Sequence, residues 1–157
     1  MNTKAEKFKQ YLAENNITYF KVEENSIAED TANSESENLN SQSIAKTLFH
    51  TYIKIFGQKL PTVVIVDDSI YTLIRVQVIP DITYTKNNTE FIKCVNEMNI
   101  NYKAVKYYLG TDNALYLDMY ISSLNDELDG NLVISMINAM NVHLTKEYPN
   151  WMKLLWS

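Results

Sequence analysis

Three apolar runs, residues 47–56, 61–67 and 70–79, follow one another with only Gly57-Gln58-Lys59 and Asp67-Asp68-Ser69 between them. Connections that short cannot carry a parallel crossover, which needs a dozen or more residues, so the runs must pair as antiparallel hairpins. In the first run Phe49, Ile53 and Ile55 alternate with His50, Tyr52 and Lys54, giving one greasy face and one mixed face. Val63-Val64-Ile65-Val66 is unbroken and predicts a central strand covered on both sides.

Helical spacing brackets this meander. Thr3-Lys4-Ala5-Glu6 has the spacing of a capping box, and Ala5, Phe8 and Leu12 follow at helical intervals, so a short amphipathic helix is expected to about Asn15. Residues 17–23 are β-branched and aromatic and read as a strand, with Phe20 and Val22 on one face. Asn87-Asn88-Thr89-Glu90 opens a second helix, whose Phe91, Cys94, Val95 and Met98 form one stripe. Residues 102–109 and 114–121 form a hairpin around Gly110-Thr111-Asp112-Asn113, with Leu115, Leu117, Met119 and Ile121 opposite Tyr116, Asp118 and Tyr120. A longer helix begins near Asn131 and is expected to stop at Pro149, leaving Trp151 to Trp156 to dock on the body or on a second copy. The expectation is one α+β domain over residues 1–157, an antiparallel β-sheet with helices packed against it.

The 157 residues carry 14 Lys and Arg against 19 Asp and Glu, a net charge of −5 that disfavours nucleic acid and anionic membrane partners. Six of those acids, Glu23, Glu24, Glu29, Asp30, Glu35 and Glu37, lie in or beside 24–43, where large apolar residues are almost absent. That segment is expected to be a mobile acidic loop, read as a solvated spacer in preference to an acidic interaction tail. The charged start of the chain lacks the apolar stretch of a signal peptide, and no run is long enough to span a bilayer; a cytoplasmic location is the expectation.

Chemistry-bearing residues are sparse. The lone Cys excludes an internal disulfide, and its place in an apolar stripe predicts a buried, inert thiol. His143 falls on the apolar arc of the last helix and His50 on the mixed face of a strand; both read as structural, and neither has a partner at i+3 or i+4 in the pattern that zinc proteins use. Residues 125–130 imitate half a calcium loop, but its twelfth position is Met136, so no calcium site is expected. Asp67, Asp68 and Asp112 sit in turns, where Asp is favoured anyway. No nucleophile elbow, Walker loop or dinucleotide fingerprint occurs, and no cofactor, metal or catalytic residue is assigned.

Tyrosine is more suggestive. Of 11 in the chain, Tyr102, Tyr107, Tyr108, Tyr116 and Tyr120 lie on the last hairpin. A phenol buries area while tolerating water, so such a face suits a partner, although cross-strand aromatic ladders also use it. Cys94-Val95-Asn96-Glu97-Met98-Asn99, Val105-Lys106-Tyr107-Tyr108-Leu109, residues 113–121 and the closing Glu147-Tyr148-Pro149 resemble the bacterial YbjN-like family. The resemblance spans roughly residues 44–156. It implies a type III secretion chaperone-like fold, commonly dimeric and without established catalytic residues; the acidic insert departs from that compact pattern. The resulting expectation is a non-enzymatic chaperone-like or regulatory protein-binding module, a homodimer that takes a protein or peptide segment. Tyr116, Tyr120, Trp151 and Trp156 are the candidate partner contacts. The competing expectation is a small-ligand-binding protein or enzyme with its pocket between helix and sheet.

Overall fold

In a computed structural model, described for residues 1–25, 45–86 and 88–157, nine elements follow in order. They are α1 (Thr3–Glu14), β1 (Lys21–Asn25), β2 (Lys46–Ile55), β3 (Gln58–Val66), β4 (Tyr71–Ile79), α2 (Asn88–Asn101), β5 (Lys106–Leu109), β6 (Leu115–Ser122) and α3 (Gly130–Leu155). The six strands form one antiparallel sheet in the order β1-β2-β3-β4-β6-β5. The fold is therefore α+β, as the spacing of the apolar runs required.

The first hairpin is tighter than the sequence suggested. Ile55 pairs with Gln58, so only Phe56 and Gly57 make the turn, both with positive φ (46° and 79°). That is the backbone of a two-residue primed turn, whose twist suits the flanking strands. Glycine adopts it freely, whereas Phe56 holds it at a cost. At the far end of β4 the register with β6 shifts between Gln77 and Ile79, and both Val78 and Ile79 are buried. The bulge lets two consecutive apolar side chains reach the interior.

One face of the sheet carries Phe49, Ile53, Val64, Ile74, Val76, Leu117 and Met119, all buried, and the helices pack against it. Phe8 of α1 meets Phe49 edge-on at 4.8 Å and Phe20 at 5.7 Å. Trp151 of α3 lies against Tyr107 of β5 at 5.0 Å and stacks on Phe91 of α2 at 5.7 Å. Gly130 starts α3 where α1 passes closest; a Cβ there would fall into the Tyr11 ring, whose hydroxyl donates to Asn131 Oδ1. Asn99 of α2 closes the free edge of β5. Its amide donates to the Tyr107 carbonyl at 2.9 Å and accepts from the Tyr107 N–H at 2.7 Å, as a neighbouring strand would.

Several expectations need correction. The α1 cap is Asn2, whose side chain accepts from the Ala5 N–H, rather than Thr3. The first strand sits later than 17–23, so Glu24 and Asn25 of the expected acidic loop are paired strand residues; the rest of that loop, 26–43, lies outside the described residues. Pro149 does not stop α3, which runs on to Leu155. The missing N–H costs one backbone bond, and burial of Trp151 and Leu155 beyond it offsets the loss. The central strand is not covered on both sides either: Val63 and Ile65 are only half-buried, because among the described residues no helix crosses that face.

Candidate functional site

Strand register arranges this open face into cross-strand rows. One row runs Leu48, Ile65, Leu73, Tyr120 across β2, β3, β4 and β6. The three aliphatics are half-buried and Tyr120 is exposed. The adjacent row runs His50, Val63, Arg75, Asp118 and, on β5, Lys106. A third brings together Gln77, Tyr116 and Tyr108. An apolar band thus lies beside a charged band flanked by phenols.

The charged row is organised by one pair. Arg75 Nε and Nη2 donate to Asp118 Oδ1 and Oδ2, each at 3.0 Å, in the side-on geometry that matches a guanidinium to a carboxylate. Asp118 is only 2% exposed although it faces the uncovered side. Tyr108 and Tyr116 lie against the guanidinium, at 5.3 and 5.5 Å from ring centroid to Cζ, and stack on each other at 5.3 Å. Hydrogen bonding to Asp118 holds the Arg75 guanidinium above its ordinary pKa. Tyr116 Oη donates to Asp112 Oδ2 at 2.5 Å, which raises the phenol and lowers the carboxyl. Beside the pair is a hollow of about 360 Å³ lined by His50, Pro61, Val63, Arg75, Gln77 and Tyr116. Its imidazole is tied to Glu23 at 2.9 Å.

Of the four candidate contacts, two belong to this face. Tyr116 is half-buried in the stack, and Tyr120 is 52% exposed and meets Tyr71 edge-on at 6.4 Å. Trp151 does not belong with them: it is fully buried in the protein's own core and cannot meet a partner. Trp156 is exposed but stacks on Tyr84 at 6.4 Å, not on the hairpin tyrosines. Sequence reasoning missed Tyr71, Arg75 and the strained, exposed Phe56. Only the register, which places Arg75 opposite Asp118, could have revealed the pair.

A second polar cluster lies between α2, α3 and β5. Glu147 is buried and accepts from Tyr102 Oη at 2.5 Å and Asn150 Nδ2 at 3.0 Å. Burial pushes its carboxyl up, but those bonds, with His143 and Lys146 nearby, bring it below the usual value. His143 wedges between Tyr102 (4.4 Å) and Tyr107 (5.6 Å), its Nε2 2.8 Å from Tyr107 Oη, and burial lowers its pKa. Cys94 is half-buried, and burial, then Glu97, raises its thiol, so little thiolate forms at neutral pH. Asp67 and Asp68 sit at the turn before β4 and Asp112 at the turn before β6, at opposite ends of the sheet, so they share no cleft. Among the described residues no group of three or more His, Cys, Asp or Glu could hold a metal ion, and no helix is long and apolar enough to cross a membrane.

No family model matches the chain, and neither a curated protein nor a solved structure matches it.

Proposed function

We propose that this chain is a non-enzymatic, chaperone-like or regulatory protein-binding module, cytoplasmic and homodimeric through its open sheet face, which takes a polypeptide segment on that face in place of the second copy. The observation that carries this reading is a six-stranded sheet with helices on one side and, on the other, half-buried aliphatics beside exposed Tyr71 and Tyr120. Covering such a face removes apolar area from water and leaves phenol hydroxyls able to pair or stay wet. The Arg75–Asp118 pair fixes the rings beforehand, which lowers the ordering cost of association. The chain's likeness in pattern to the YbjN-like family supports the same reading.

Light scattering on size-exclusion fractions tests it. The expected result is a dimer that Tyr71→Glu with Tyr120→Glu converts to monomer, with amides of β3, β4 and β6 losing protection from exchange in the variant. A native chain that stays monomeric at every working concentration would overturn the self-association.

A further inference from the structure

On the helical side of the sheet a hollow of about 440 Å³ lies between α3 and the segment leading into β5. Buried Val105 and Met119 form its floor, and Ala139 and Val142 form its wall. Val142 is 72% exposed, so packing of the protein's own core does not account for an apolar side chain there. The rim carries Lys103 and Lys146, and no acid lines the hollow. Among the described residues neither lysine has an ion-pair partner within 4.0 Å. Glu147, next in the chain, is instead engaged by Tyr102 and Asn150, and Lys146 lies over the Tyr102 ring at 5.7 Å. An apolar trough with two ammonium groups at its mouth, Lys103 and Lys146, the second influenced by Glu147 yet not in direct ion contact with it, is complementary to a molecule with a greasy body and one anionic end.

We propose that this hollow binds a free medium-chain carboxylate, with its chain on Val105, Met119, Ala139 and Val142 and its head group between Lys103 and Lys146. The volume falls within the range of small-ligand sites, and its apolar lining suits a single acyl chain. The proposal is independent of the open-face reading, because Met119 points to the opposite side of the sheet from Asp118 and Tyr120.

The full-length chain titrated with decanoate, followed by calorimetry and amide chemical shifts, tests it. One saturable site is expected, with shifts confined to residues 102–105, Met119 and its immediate neighbours, and residues 139–146. Decyltrimethylammonium, of equal chain length and opposite charge, should bind at least tenfold more weakly. Ala139→Trp, which fills the trough, and the Lys103→Gln, Lys146→Gln double variant should each weaken decanoate at least tenfold. All three positions are exposed, and the charge contrast on the native chain stands even if a variant folds poorly. Equal affinity for the two amphiphiles, shifts centred on the open sheet face, or binding only to phosphatidylglycerol vesicles would overturn the proposal.

Discussion

Replacing Arg75 by Met leaves the Asp118 carboxylate 2% exposed and without its cation. Breaking a buried pair from one side costs about 3–5 kcal/mol. Here the Arg75 side chain keeps 32% of its exposure, so water screens part of the attraction and the expected loss is about 2–3 kcal/mol. Asp118→Leu is milder, about 1–2 kcal/mol, because the released guanidinium can turn to solvent. The double variant removes both charges together and should lie within about 1 kcal/mol of the native chain, a coupling of about 3 kcal/mol. Urea unfolding of the four proteins at constant m gives each term. Near-ultraviolet dichroism reports separately whether Tyr108 and Tyr116 have lost their fixed stack. Additive single losses, or an Arg75→Met loss below about 0.5 kcal/mol, would show that the pair does not organise this face.

Asn99→Ala should cost about 2 kcal/mol, since it unpairs both backbone groups of buried Tyr107; hydrogen exchange should speed most at that amide, and an unchanged rate would mean water replaces the clamp. Phe56→Asn should raise stability by about 0.5–1 kcal/mol, because Asn tolerates the positive φ that Phe56 holds, and a lower melting temperature would refute that account. His143 has a depressed pKa in the fold, so its share of stability is complete above about pH 6.5 and lost as pH falls through the lower folded value. Glu147, also depressed, adds a second loss below about pH 4.5. Melting temperatures between pH 7.5 and 5 should therefore decline with acid, and His143→Gln should flatten the slope; an unaltered slope would count against burial of that imidazole as the cause.

The meander and the last hairpin were legible because two local signals agreed, a period of two and connections too short for any other pairing. The faces of β6 followed directly: Leu115, Leu117, Met119 and Ile121 are all buried, as their alternation required. Signals failed where a distant contact outweighed a local rule. Pro149 breaks a helix in isolation, but the aromatic packing of Trp151 on Phe91 and Tyr107 rewards continuing it. Trp151 read as a sticky terminus for the same reason, since its partners lie about 40 and 60 residues earlier in a chain compact enough to fold them together. Asp118 shares its strand face with Tyr116 and Tyr120, and nothing in that alternation reveals that Arg75, 43 residues away in sequence, pairs with it or that it is only 2% exposed. The cluster of Tyr102, His143 and Glu147 was invisible because no spacing rule relates a loop residue to one face of a helix that follows two strands.

Strand addition and face docking make different demands, and the two edges of this sheet weigh against the first. The β5 edge is occupied at Tyr107 by the Asn99 amide, so an added strand would have to displace two good hydrogen bonds. The β1 edge bears Lys21, Glu23 and Glu24 within five residues, and charge on a short edge strand opposes pairing. The open face has neither obstacle. Its apolar row crosses four adjacent strands, a span of about 14 Å at the usual strand spacing. A helix covers that length with about ten residues, or three turns, and can set one apolar side chain per turn against Leu48, Ile65 and Leu73 while its flank meets Tyr120. On the protein-binding reading, an amphipathic helix laid across the strands is therefore the better-matched guest than an extended segment, and a helical peptide should compete with self-association where a β-strand peptide of equal hydrophobicity does not.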